Sequence, residues 1–65
     1  MLDINALRAE MARNGYTQAS LAEAIGISPR TFANRLKTGD FGSIEIERMM
    51  HLLKIKNPVA IFFAK

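Results

Sequence analysis

Three basic side chains stand close together in a part of the chain that contains no acid. Between residues 24 and 39 the sequence has Arg30, Arg35 and Lys37 but no Asp or Glu. The other six basic residues are matched by six acids, so the net charge of +3 originates in this segment. A solvated helix face usually carries both signs, whereas an unbalanced basic segment suits a polyanionic partner.

Residue types that support catalysis or metal binding are scarce. His51 is the single histidine, cysteine is absent, and the carboxylates are scattered along the chain. Covalent and acid–base catalysis need a nucleophile, a base and an acid close together, and a zinc site needs several His or Cys ligands. The sequence therefore argues against an enzyme, a cofactor, a metal and a small-molecule substrate.

The length of 65 residues fits one small domain, predicted over residues 1–65. No stretch approaches the ~20 apolar residues of a membrane span. The N-terminus lacks the basic start and the apolar run of a signal peptide. We therefore expect a cytoplasmic domain without membrane contact.

Turn residues divide the chain into five amphipathic blocks, none of which alternates long enough to form a strand. Each block begins after a residue that can cap a helix, and most end at Gly or Asn. Four helices are predicted over about 4–13, 18–25, 29–37 and 43–53, and a short fifth helix begins at Pro58. In the same order, the predicted N-terminal caps of the five helices are Asp3, Thr17, Ser28, Gly42 or Ser43, and Asn57. The predicted fold class is all-α, a compact bundle of five short helices.

Only Gly26, Ile27 and Ser28 connect the second and third predicted helices. A connection this short that begins with glycine makes two helices cross at about 90–120°. Ala22 is small where the helices must approach, and Ile27 is the apolar residue that fills the angle between them. These features predict a helix-turn-helix motif over about residues 17–37.

The segment TQASLAEAIGIS, residues 17–28, resembles the DNA-binding motif of the Cro/CI family, also called lambda-repressor-like or XRE. The family pattern is Thr-Gln-x-x-Leu-Ala-x-x-x-Gly-Ile/Val-Ser, and the resemblance extends over residues 7–63. The short length and the Phe62-Phe63 end are most similar to small phage Cro-type regulators. One departure is Arg35, which stands where the family often has a buried residue, so that Leu36 takes the buried position.

The resemblance implies a sequence-specific regulator that binds double-stranded DNA, a phage or prophage repressor in a bacterial or phage-infected cell. Its second motif helix is then expected in the major groove of a palindromic operator. The alternative is an antitoxin-like or antirepressor protein whose main partner is another protein. RNA is a weaker candidate because the chain lacks aromatic stacking platforms.

Contacts with base edges are expected from the start of the third helix. Arg30 is the candidate for a bidentate contact with guanine, and Asn34, one turn later, for a contact with adenine. Thr31 is a shorter candidate, and Pro29 occupies a base-contacting position without a hydrogen-bond donor. Contacts with the DNA backbone are expected from Thr17, Gln18, Ser28, Arg35, Lys37 and Thr38, of which the first two resemble the family's phosphate clamp.

The C-terminal segment is the candidate dimer interface. Val59, Phe62 and Phe63 are expected to form one stripe against the fourth helix, which leaves Ile61 pointing away from the core. Ile61, Phe62 and Phe63 are therefore predicted to contact a second copy of the chain on DNA. The alternative is a lid that closes the core of a monomer.

Overall fold

Five α-helices organise the described chain, residues 1–64 of the computed structural model. They are α1 (Ile4–Arg13), α2 (Gln18–Ile25), α3 (Pro29–Thr38), α4 (Ser43–Leu53) and α5 (Pro58–Phe62). No strand occurs within residues 1–64, so the predicted all-α class and the five predicted helices are confirmed. Lys65, the last residue of the predicted domain, lies outside the described part. None of the helices between residues 1 and 64 has the length and apolarity needed to span a membrane.

Side-chain oxygens cap four of these helices at the predicted residues. Such caps satisfy backbone N–H groups that have no partner within the first turn. The bonds run from the Ala6 N–H to Asp3 (3.0 Å), from Ser20 to Thr17 (3.0 Å), from Thr31 to Ser28 (3.1 Å) and from Ala60 to Asn57 (3.4 Å). At the start of α4 the direction is reversed, because the Gly42 N–H donates to the Glu45 carboxylate at 3.0 Å.

A single hydrophobic core joins all five helices and two of the connections. Phe32 of α3 is fully buried, and its ring centroid lies 5.4 Å from that of Phe41. Phe41 in turn meets Phe62 of α5 nearly edge-on at 6.3 Å. The remaining buried residues are Leu2, Leu7, Met11, Leu21, Ala22, Ile25, Leu36, Met49, Leu53, Ile55 and Ile61.

The packing of α5 differs from the expectation. Ile61 is buried at 8% exposure and Phe62 at 4%, whereas Val59 and Phe63 are each 61% exposed. The prediction that Ile61 points away from the core is therefore wrong, and so is the stripe that included Val59 and Phe63. The inner face of α5 is rotated by roughly 100°, the angle of one helical residue.

Two polar contacts fix α1 against the C-terminal half of the chain. The Asp3 N–H donates to the Ile61 carbonyl at 2.7 Å, which holds the start of α1 against α5. The Asn14 side chain donates to the Leu53 carbonyl at 3.0 Å, which holds the end of α1 against the end of α4. Both bonds join parts of the chain that are distant in sequence.

Candidate nucleic-acid interface

The turn between α2 and α3 contains the left-handed glycine that its sequence predicts. Gly26 has a φ of +86°, in the left-handed region that favours glycine. The Ile27 N–H reaches back to the Ala22 carbonyl at 3.0 Å and closes the end of α2. Ala22 is fully buried and Ile27 packs against the core. Their burial fits the predicted roles, close approach of the helices at Ala22 and an apolar residue in the turn at Ile27.

The start of α3 is held by a pair of hydroxyl groups. The Ser28 hydroxyl accepts the Thr31 N–H, and it donates to the Thr31 hydroxyl at 2.9 Å. Pro29 occupies the first helical turn, where its missing N–H costs nothing, and it is exposed. Ser28 and Thr31 therefore already hydrogen-bond each other, while Pro29 offers an apolar surface beside them.

One face of α3 combines an amide with two positive charges. Arg30, Asn34 and Lys37 follow each other at spacings of four and three residues, and all are exposed. Phe32 and Leu36 are buried on the other side of the helix, as predicted. The Arg30 and Asn34 side chains consequently lie on the same outward face, one turn apart. The polar face extends along α3, which has 10 residues.

Arg35 points away from that face and has partners within the chain. Its guanidinium donates to the Asp40 carbonyl at 3.3 Å and pairs with the Glu45 carboxylate at 3.2 Å. The Thr38 hydroxyl donates to the Arg35 carbonyl at 3.4 Å. The structure thus separates Arg35 from the other two cations of the acid-free segment, and places it at the junction of α3 and α4.

The N-terminus of α2 lies beside the polar face. Thr17 forms a reciprocal cap with Ser20, since the Thr17 N–H donates to the Ser20 hydroxyl at 2.9 Å. Gln18 is exposed at the first position of α2, where backbone N–H groups give the helix a partial positive charge. Both residues are exposed at the N-terminus of α2, and their contact with phosphate stays a prediction.

A basic residue of α1, missed in the sequence analysis, lies close to the same surface. Arg8 lines an open groove of about 260 Å³ together with Gln18 and Lys37. The groove is formed by α1, α2 and α3, so residues far apart in sequence meet there. The available signal was the spacing of Arg8 from Ile4, four residues earlier, which puts both on one side of α1.

Another arginine that the sequence analysis did not single out, Arg48 of α4, contacts the turn between α2 and α3. The Arg48 guanidinium donates to the Ile25 carbonyl, the last of α2, at 2.8 Å. A Cβ atom on Gly26 would lie 3.0 Å from the same guanidinium nitrogen. No local pattern predicts this contact, because the two residues are 23 positions apart.

Groups that could hold a metal are not assembled in the described structure. Within residues 1–64, no three side chains of the His, Cys, Asp or Glu type come together. His51 is exposed on α4.

Comparison with protein families identifies the part of the chain that contains the α2–α3 motif. The family model of the Cro/C1-type HTH DNA-binding domain matches residues 6–57, most of the chain. Comparison with curated proteins and with solved structures gives no match. The matched range includes α1 from Ala6 onward, all of α2, α3 and α4, and therefore the complete α2–α3 motif. The resemblance seen in the sequence is confirmed: this chain belongs to the Cro/C1-type helix-turn-helix DNA-binding family.

Proposed function

We propose that this chain is a sequence-specific transcriptional repressor of phage or prophage origin, which occupies a palindromic operator and inserts α3 into the major groove. The observation that carries the proposal is the exposed face of α3. It presents Arg30, Asn34 and Lys37 outward, while Phe32 and Leu36 anchor the helix to the core. A helix of this kind fits the width of the major groove, where all four base pairs can be distinguished.

The side chains on this surface divide into two roles. Arg30 reads a guanine through two hydrogen bonds, and Asn34 reads an adenine one turn later. Lys37, Gln18 and Arg8 contact phosphates, which sets the register of the protein on the duplex without selecting a sequence. Arg8, Gln18 and Lys37 line one groove, which supports their assignment to phosphate contacts, because the groove brings two cations beside the N-terminus of α2.

The remaining predicted contacts carry less of the binding free energy in this proposal. Ser28 and Thr31 satisfy each other, and Thr17 is engaged with Ser20, so their hydroxyls reach DNA only alongside these bonds. Pro29 contributes apolar contact. Arg35 and Thr38 lie at the far end of α3, where Arg35 is paired with Glu45.

Binding as a dimer follows from the size of the module and from its exposed apolar residues. A single small module buries only ~600–1,000 Å² on DNA, and two linked half-sites raise affinity and specificity. Val59 and Phe63 are the large apolar side chains that the C-terminal segment leaves exposed. We place the contact between copies at these two residues, with Ile61 and Phe62 supporting them from the core.

A salt series on labelled duplex DNA tests the DNA-binding mechanism. Phosphate contacts release counterions, so log K falls linearly with log salt concentration by about 0.9 for each phosphate neutralised. We expect a steep negative slope, and sedimentation of a protein dimer on one duplex. A flat salt dependence with a folded protein would contradict the proposal.

Regulation through a protein partner is the second candidate, as for an antitoxin-like or antirepressor protein. The exposed pair Val59 and Phe63 favours it, because apolar side chains at this level of exposure suit a protein surface. A stable 1:1 complex with the product of a neighbouring gene, formed without DNA, would support this candidate. A chain that self-associates through the same residues would support the dimer.

A further inference from the structure

We infer that Arg48 of α4 is a positioning residue for DNA recognition, which holds the α2–α3 turn in the orientation that lets α3 read bases. The inference rests on the proposed function, since it concerns the accuracy of that same α3 surface. Its central observation is the hydrogen bond of 2.8 Å from the Arg48 guanidinium to the Ile25 carbonyl.

The electrostatics of α2 explain why a cation is needed there. Carbonyl groups at a helix C-terminus carry a partial negative charge, which basic residues in the last turn usually balance. The last turn of α2 has no basic residue, and it contains Glu23, whose charge has the unfavourable sign. Arg48 supplies the missing positive charge from a different helix, and it does so at the final carbonyl of α2.

The space around Gly26 is shaped by the same guanidinium nitrogen. A methyl group on Gly26 would stand 3.0 Å from the Arg48 guanidinium, closer than ordinary van der Waals contact. Glycine at this position therefore does two things: it adopts the left-handed φ of +86°, and it leaves room for the guanidinium.

The position of the turn relates this contact to recognition. Ile25 ends α2, Ser28 caps α3, and Arg30 follows within the first turn of α3. A small rotation at Gly26 therefore moves Arg30 relative to α2, whose N-terminus is the proposed phosphate contact. By fixing the turn to α4, Arg48 fixes the direction of the base-contacting side chains relative to the DNA backbone.

The test compares Arg48→Met, which keeps an unbranched apolar stem but removes the hydrogen-bond donors, with Arg48→Lys and with a charge control. Lys56→Met removes one positive charge from the α4–α5 connection, away from the turn. Affinities are measured on a duplex enriched from a random library and on a scrambled duplex, at salt concentrations where urea titrations show each variant folded. The readout is the ratio of the two affinities and its salt dependence.

We expect Arg48→Met to lower affinity for the enriched duplex about tenfold, the effect of losing a charge-assisted hydrogen bond. Affinity for the scrambled duplex changes about twofold or less, and the salt slope stays that of the wild-type chain, because phosphate contacts are intact. Arg48→Lys retains a charged donor, so its ratio of affinities for the enriched and scrambled duplexes lies between those of Arg48→Met and the wild-type chain. Lys56→Met leaves the ratio unchanged.

Two results would overturn the inference while leaving the proposed function in place. One is an affinity ratio for Arg48→Met equal to that of the wild-type chain. The other is an equal loss on both duplexes with a salt slope reduced by about 0.9, which would make Arg48 a direct phosphate contact. A wild-type chain without any preference between the duplexes would instead overturn the proposed function, and the inference with it.

Discussion

Two helices of this chain begin in the same way and present opposite chemistry to the outside. α3 starts with Ser28 and Pro29, and α5 with Asn57 and Pro58, a capping side chain followed by proline in each case. α3 then continues for 10 residues and exposes arginine, asparagine and lysine. α5 stops after five residues and exposes two apolar residues, Val59 within the helix and Phe63 at its C-terminal cap.

The difference shows that a start signal determines where a helix begins but not what it binds. Both helices contribute aromatic residues to one cluster, in which Phe41 lies between Phe32 and Phe62. The outward faces decide the partner: a polar, positively charged face suits a polyanion, and an apolar one suits another protein surface. Substitutions on each outward face and in the shared core separate their contributions.

The largest effect is expected in the core. Phe32→Ala removes a fully buried ring in contact with Phe41, which should lower the free energy of unfolding by about 3–5 kcal/mol. Phe63→Ala, at an exposed position, should change it by less than about 0.5 kcal/mol. Urea denaturation at low protein concentration measures both. A similar cost at the two positions would show that Phe63 is part of the core.

The next effect concerns base recognition. Arg30→Ala should cost ~1–3 kcal/mol on the enriched duplex and relax the preference at one base pair. Lys37→Ala, on the same face one turn beyond Asn34, should weaken enriched and scrambled duplexes alike. Fluorescence anisotropy with both duplexes distinguishes the two. Reversed effects would exchange the roles of these residues.

A smaller effect is expected from the apolar surface beside α5. Phe63→Ser should lower affinity for a complete palindrome by about tenfold, because the second half-site no longer binds cooperatively. Affinity for an isolated half-site should stay that of the wild-type chain. Equal loss on both duplexes would mean that Phe63 acts on α3 rather than on a second copy.

The smallest effect tests the groove between α1 and α3. Arg8→Ala should reduce the slope of log K against log salt concentration by about 0.9, the contribution of one phosphate. Arg13→Ala is the matched control, since Arg13 lies on the same helix but is paired with Glu10 and lines a different groove. An unchanged slope for Arg8→Ala would remove this residue from the proposed interface.

The local features of this fold were predictable from sequence, and the long-range ones were not. Caps such as Asp3 and Ser28, the left-handed Gly26 and the buried Leu36 follow from interactions within a few residues. The inner face of α5 was predicted wrongly, because Ile61 and Phe62 pack into a core that includes Leu2, at the other end of the chain. In a helix of five residues the apolar pattern alone leaves the inner face ambiguous.

The candidate site shows the same division. The motif over residues 17–37 and the exposed Arg30 and Asn34 follow from spacing along one helix. Arg8 and Arg48 come to this surface from α1 and α4, and the sequence of the motif contains nothing that specifies them. Arg35 belongs to the acid-free segment, yet Glu45 from the next helix pairs with it.

Selection of binding sites from a random duplex library, at moderate salt and followed by sequencing, tests the central claim most directly. The proposed repressor predicts two enriched half-sites in inverted repeat, with centres ~10 bp apart or a multiple of that distance. One asymmetric enriched site would retain DNA recognition and exclude the dimer. No enrichment, with protein shown to be folded, would contradict sequence-specific binding by α3.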